Sequence, residues 1–333
     1  MSRTFRTLCL LSVLVLSASL LVTAEPVTLR VYIGFDRAQN PAAYDQFEDY
    51  LHDYERLHPK LTIENLGKND DGSKLLTMLM ANEAPDVIKA GMDKLLGFYL
   101  SGLLDPVPSP LADKVRRAMF PIAVEGSTVE GRLVGIPFEN EVSGLVYNTE
   151  RLAEGGIAAP PTTWDELQLV GQKLARYDDN KMVVPALAEA GANWSLAFHV
   201  IATIYAEGGE FVDQDGLLRW GEPATYEALE RYIRALSGRP YMKLGWDAVG
   251  QFAAGNIPMA FGHPYTVQNI PPEAMAPFGA TLQPKGSVTY GATYYNHLYS
   301  VPAGSKHKAE SWQLLEWLAL PREVEGGVTR HVK

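Results

Sequence analysis

The chain has 333 residues, 47% hydrophobic and 20% charged, enough apolar material for one large domain or two of ordinary size, which excludes disorder and collagen-like repeats. With 39 acidic against 29 basic side chains and no long block of like charges, it has no surface suited to tracking phosphates, so no nucleic-acid partner is expected. A single cysteine, Cys9, rules out an internal disulfide, a redox pair and a thiolate zinc cage.

Arg3 and Arg6 precede an uncharged stretch from Thr7 to Ala24, whose apolar core is short for a membrane span and right for a secretory signal peptide cleaved before Glu25. No cysteine stands near the new terminus to carry a lipid, so the mature protein is expected free in the periplasm. Val27, Leu29, Val31 and Ile33 share one face of a strand. Asn40 and Pro41 open a helix, with Tyr44, Phe47, Leu51, Tyr54 and Leu57 at helical spacing until Pro59. Leu61 to Leu66 reads as a second strand, Lys74 to Ala81 as a helix capped by Ser73, and Val87 and Ile88 as a third strand. This βαβα order predicts a largely parallel sheet with right-handed crossovers. A second set follows the proline and glycine cluster from Gly155 to Pro161. There Thr163 to Glu166 forms a capping box opening a helix to about Arg176, and Tyr226, Leu229, Ile233 and Leu236 form the inward stripe of a helix from Ala224 to Leu236. Two α/β lobes are the expectation.

Motifs for covalent chemistry are absent: there is no Gly-x-Ser-x-Gly elbow, His-Glu-x-x-His pair or Gly-x-Gly-x-x-Gly turn. Gly67 to Lys74 follows a strand and opens a helix, but its Ser73–Lys74 order is the reverse of a P-loop, and Asp70 and Asp71 would repel an anion. The seven histidines are scattered and read as surface or core residues, so no metal and no cofactor is expected. Asp213 to Gly216 reads as a polar turn. Paired carboxylates for glycoside hydrolysis stay open, because separation in space defines such a pair.

Five ordered motifs carry a family resemblance. They are Ala84 to Ile88 with Ser101 to Asp105, Gly135 to Phe138 with Leu145 to Asn148, Pro161 to Leu167, Gly255 to Phe261, and Val301 to His307. Together the chain resembles the extracellular solute-binding proteins of ABC sugar importers, the maltodextrin-binding members in particular. The resemblance implies a two-lobed α/β periplasmic binding protein of class II type that closes on its ligand by a hinge. The lobes would be residues 25–140 plus 283–307 and 141–282 plus 308–333, with the chain returning near Leu282 to Pro284.

The resemblance further implies a monomeric, non-enzymatic protein that holds a sugar or oligosaccharide in the cleft between lobes and delivers it to the permease subunits of an ABC transporter. It places Asp36, Arg37, Asp93, Lys94 and Glu141 on hydroxyls and Tyr265 as a stacking ring, while Ala90 stands where a tryptophan is usual. A carbohydrate needs carboxylates for its hydroxyls and aromatic rings for its C–H face, and the segments that the resemblance brings to the cleft add Trp194, Tyr294 and Tyr295, then Trp246 and Tyr290. Trp164, at a helix start, is expected to be scaffold. The rivals are a ferric-ion binder using Tyr294 and Tyr295, and an exported glycosidase using Asp93 and Glu141. Several further helices are usual in the family after Pro321. The expectation is either a naturally short member or a truncated C-lobe, whose uncovered face Trp312 and Trp317 would mark.

Overall fold

In the computed structural model the described residues are 25–33, 37, 41–67, 73–81, 83–190, 194–262, 266, 270, 274–275, 277–324 and 328–330, without the side chains of 41–43, 194, 322–324 and 328–330. The expected signal peptide (1–24), Asp36, Asn40, Tyr265 and the side chain of Trp194 therefore lie outside the described residues. No helix among the described residues is long and apolar enough to cross a membrane.

The chain runs β1 (Val27–Tyr32), α1 (Pro41–Leu57), β2 (Leu61–Asn65), α2 (Ser73–Met80), β3 (Val87–Gly91), α3 (Met92–Leu100), α4 (Ser109–Ala118), α5 (Pro121–Glu125), β4 (Thr128–Val129), β5 (Arg132–Leu133) and β6 (Ile136–Val142). It continues through β7 (Gly144–Asn148), α6 (Thr149–Glu154), α7 (Trp164–Leu174), β8 (Arg176–Asp178), β9 (Lys181–Val184), β10 (Leu187–Glu189), α8 (Trp194–Ala206), α9 (Pro223–Leu236), β11 (Met242–Leu244), α10 (Trp246–Ala253), β12 (Met259–Gly262) and β13 (Phe278–Thr281). Last come β14 (Tyr294–Ser300), α11 (Lys308–Ala319), β15 (Arg322–Val324) and β16 (Val328–Arg330).

Two compact units result, one of residues 1–139 and 296–333, the other of residues 140–295. In the first, the sheet order is β2-β1-β3-β14-β6, with β1 parallel to both β2 and β3, and β14 antiparallel to β3. Leu29 and Val31 face one side, where Phe47 and Leu51 of α1, Leu111 of α4 and Leu315 of α11 cover them. Tyr32, Ile88 and Ala90 face the other side, under Leu75 of α2 and Leu95 of α3. Burial on both faces is what a mostly parallel sheet requires, and it accounts for the unbroken apolar run at β3. In the second unit the order is β11-β10-β12-β7-β13. Leu145, Leu187 and Met259 pack under α7 and α9, and Ala188 and Ala260 under α10.

The second change of unit falls between Tyr295 and Asn296, not near Leu282, and α11 belongs to the first unit, not the second. The cause is packing: Trp312, Leu314, Leu315 and Leu318 join the cluster built on Leu29, Val31 and Val87. Trp312 is therefore buried, and Trp317 is half-buried with its ring edge-on to Tyr54 at 5.3 Å. Past Pro321 the chain forms the β15–β16 hairpin.

A second correction concerns α9. It buries Thr225, Ala228, Tyr232 and Ala235, while Tyr226, Ile233 and Leu236 of the expected inward stripe are exposed. Small side chains let α9 lie close to α8, and Tyr232 meets the edge of Trp164 at 5.1 Å. Close approach through alanines outweighed the larger hydrophobic stripe. Trp164 is 3% exposed, the scaffold role expected of it, and Thr163 Oγ1 accepts the Glu166 amide at 3.2 Å as the N-cap of α7. Glu166 completes the cap one residue early, accepting from the Thr162 amide and hydroxyl at 2.7 and 2.8 Å.

Candidate functional site

Because β1 and β3 are parallel neighbours, their carboxyl ends lie on one edge of the first unit's sheet, the edge at which open α/β sheets bind ligands. Arg37 follows β1 on this edge, and Asp93 and Lys94 occupy the first turn of α3 after β3. Asp93 is not the N-cap, which is Gly91; its carboxylate is exposed in the positive field of the helix start. Arg37 is exposed and held over α1, 3.2 Å from Asp45 and 5.5 Å above the Tyr44 ring.

Three further groups join Asp93 and Lys94 there, none of them selected from sequence. Lys89 Nζ on β3 lies 2.8 Å from Glu139 Oε2 on β6, and Glu139 Oε2 lies 3.5 Å from Nδ1 of His297 on β14. The register places His297 opposite Gly91, the last residue of β3. Burial, then the positive charge of Lys89, hold the imidazole pKa below its ordinary value, with Lys94 adding to them and Glu139 and Asp93 opposing. Glu139 and His297 are the carboxylate and imidazole of this group that could share a cation, but the Lys89 ammonium already neutralises that carboxylate. The signal for His297 and Glu139 was present only as strand register, which sequence spacing does not show.

Within the second unit, Glu141 is 9% exposed at the end of β6. Tyr294 donates its hydroxyl to Asn140 Oδ1, whereas the Tyr295 ring lies 5.6 Å from Phe198, tilted by 39°. Successive side chains on a strand point to opposite faces, so these two phenols do not form a paired cation site. Trp246, at the start of α10, and Tyr290 are each 46% exposed. Of the sequence-selected residues, the structure thus brings together Asp93 and Lys94, ties Arg37 to Asp45, and separates Tyr294 from Tyr295.

Sequence reading also missed a sealed polar network under the second sheet's carboxyl end. Glu189 ends β10, and its Oε2 lies 2.7 Å from His199 Nδ1, with both side chains 0% exposed. Ser195 Oγ donates to Glu189 Oε1 at 3.0 Å, and Gln283 Nε2 donates to the His199 carbonyl at 2.9 Å and to Thr203 Oγ1 at 2.7 Å. Its effect is to pin the first turns of α8, which Trp194 begins.

The sequence profile of the family described as bacterial extracellular solute-binding protein matches residues 42–326. The maltotriose-binding protein of Pyrococcus abyssi is 26% identical over 298 residues, 85% of this chain and 61% of the relative. The lactose-binding protein of Rhizobium radiobacter is 26% identical over 282 residues, 79% of this chain and 61% of the relative. The chain thus spans about six-tenths of the length of these curated relatives. Among solved structures, an ABC transporter solute-binding protein from Thermotoga lettingae bound with α-D-tagatose superposes with a TM-score of 0.74 at 20% identity, covering 87% of this chain and 76% of that one. Maltose-bound MalE3 of T. maritima also gives 0.74, at 18% identity, over 87% of this chain and 76% of that one. At these identities the structures establish the shared two-lobed α/β fold.

Proposed function

The chain belongs to the bacterial extracellular solute-binding proteins, and from that premise we propose that it binds a sugar or oligosaccharide and delivers it to the permease of an ABC importer. Family members are binding proteins that act outside the cytoplasm; the proposal for this chain is a periplasmic monomer released from its signal peptide after Ala24. The observation that carries the reading is the polar group at the carboxyl edge of the first unit. Lys89 and Glu139 neutralise each other there, and Asp93 presents an exposed carboxylate next to the Lys94 ammonium. Such a pair accepts from and donates to adjacent hydroxyls of a neutral polyol in charge-assisted bonds. Glu141, Tyr294 and Tyr295, with Asp36, Trp194 and Tyr265, are the proposed contributors from the remaining segments. The relatives bind maltotriose and lactose by name, and neighbouring structures hold tagatose and maltose, which defines the panel to test.

Calorimetric titration of the protein with that panel is expected to give saturable binding of at least one sugar, recovered chemically unchanged. Asp93→Asn keeps the side chain's shape and removes the charge, so affinity is expected to fall by about tenfold to a hundredfold, the worth of one hydrogen bond to a charged group. No binding by any sugar, or unchanged affinity in the variant together with an altered ligand, would refute the reading.

A further inference from the structure

The second unit carries a cavity of about 830 Å³, within the range of small-molecule sites, that none of the groups above occupies. Its walls include the segments leading into β10 (Val184 and Pro185) and into β12 (Asn256 to Pro258). These are the amino ends of two parallel strands, so the cavity opens at the edge opposite their carboxyl ends. Leu174, Met182 and Val183 line it with partly exposed apolar side chains among polar ones.

The charges on its rim are unevenly matched. Arg151 is committed twice, to the Gly255 carbonyl at 2.7 Å and to Glu154 at 2.9 Å, and Lys243 holds Asp247 at 2.5 Å. Lys173 and Arg176 also line the cavity, and among the described residues neither has a carboxylate partner; Lys173 Nζ is merely 3.5 Å from the Gly156 carbonyl. Two cations without a carboxylate partner, beside the apolar side chains of Leu174, Met182 and Val183, stand out in a chain of net charge −10. The walls are braced without them, through Arg151 and through Asn256 Nδ2 donating to Gln251 at 2.7 Å. Stability of the unit therefore does not explain the pair.

We propose that this cavity is a second ligand site, for an amphipathic organic anion whose apolar body rests on Leu174, Met182 and Val183 and whose acidic group meets Lys173 and Arg176. The site stands independently of the sugar reading. The probe is anilinonaphthalene sulfonate, with uncharged phenylnaphthylamine as the matched apolar control, each titrated by fluorescence into the full protein. The sulfonate is expected to bind saturably at one site, and phenylnaphthylamine about tenfold or more weakly, the worth of a lost charge-assisted bond. Reversing both charges (Lys173→Glu with Arg176→Glu) is expected to abolish sulfonate binding, and neutralising them (Lys173→Gln with Arg176→Gln) to weaken it by about tenfold, with sugar titrations unchanged. Equal binding of the two dyes, or sulfonate binding indifferent to the glutamine pair, would overturn the proposal.

Discussion

Replacing Arg231 of α9 by methionine keeps an unbranched aliphatic stem and removes the guanidinium that satisfies a buried carboxylate. Glu207, whose side chain is 1% exposed just beyond α8, accepts from Arg231 Nε at 2.5 Å and from the Ser287 amide and hydroxyl at 2.9 and 2.6 Å. One side chain thus ties α8, α9 and the segment that leads to β14. Removing one partner of a buried pair costs about 3–5 kcal/mol, because the remaining charge stays desolvated. The two Ser287 bonds persist and Arg231 is 18% exposed, so the lower end, about 3 kcal/mol, is expected. The 3.6 Å contact of Arg231 with Asp165 adds little, since that carboxylate is 87% exposed. Urea unfolding followed by circular dichroism reads the loss, and adding Glu207→Gln to Arg231→Met should restore about 1–2 kcal/mol by removing the stranded charge.

The pH dependence has a definite sign. Burial raises the Glu207 pKa, but the bonds from Arg231 and Ser287 outweigh it, and the folded value lies below the ordinary 4.5. A depressed carboxyl pKa contributes stability that is fully present above 4.5 and lost as pH falls through the folded value. The gap between the native protein and Arg231→Met should therefore narrow in acid below 4.5. A loss under about 1 kcal/mol at neutral pH, or a gap that widens in acid, would refute the reasoning.

Two other substitutions test the packing. Leu315→Ala in α11, at a side chain 0% exposed against Leu29 and Val31, should cost about 2–5 kcal/mol, and hydrogen exchange should quicken in β1 and β3 of the first unit and not in the second. Gly171→Ala in α7 would set a methyl group 2.3 Å from Cδ2 of the buried Tyr241 ring, an overpacking expected to cost about 1–3 kcal/mol and to lower the melting temperature.

What sequence made legible was whatever depends on neighbours along the chain. Proline at the first turn of α1, the Thr163 cap of α7 and the polar turn at Asp213, whose Oδ1 accepts the Asp215 and Leu217 amides at 3.0 and 2.9 Å, are local devices with local signatures. Two of the motifs behind the resemblance turn out to be one structural clasp. Asp86 accepts the Arg30 amide at 2.9 Å and the Ser305 hydroxyl at 2.7 Å, joining the entry to β3 with the turn before α11 across 219 positions. That clasp also helps explain why α11 stays with the first unit. What stayed hidden depends on register and on which helix face wins. His297 meets Gly91, and Lys89 reaches Glu139, only once β14 lies antiparallel between β3 and β6. No spacing within 89–139 or 139–297 encodes that meeting.

The distribution of charge in the first unit bears on what kind of solute its edge can hold. Among the described residues, cations at or near that edge lie beside carboxylates: Arg37 with Asp45, Lys89 with Glu139, and Lys94 adjacent to Asp93 on one helical turn. A site for an anion would leave cations in surplus, as the rim of the second unit's cavity does with Lys173 and Arg176. A matched set presents acceptors and donors side by side with little net field, so it selects by the number and direction of hydroxyls rather than by charge. His297 fits this balance, since burial and Lys89 favour its neutral form, which donates from one ring nitrogen and accepts at the other. This balance supports the sugar-binding proposal, because it suits an uncharged, hydroxyl-rich molecule better than an anion.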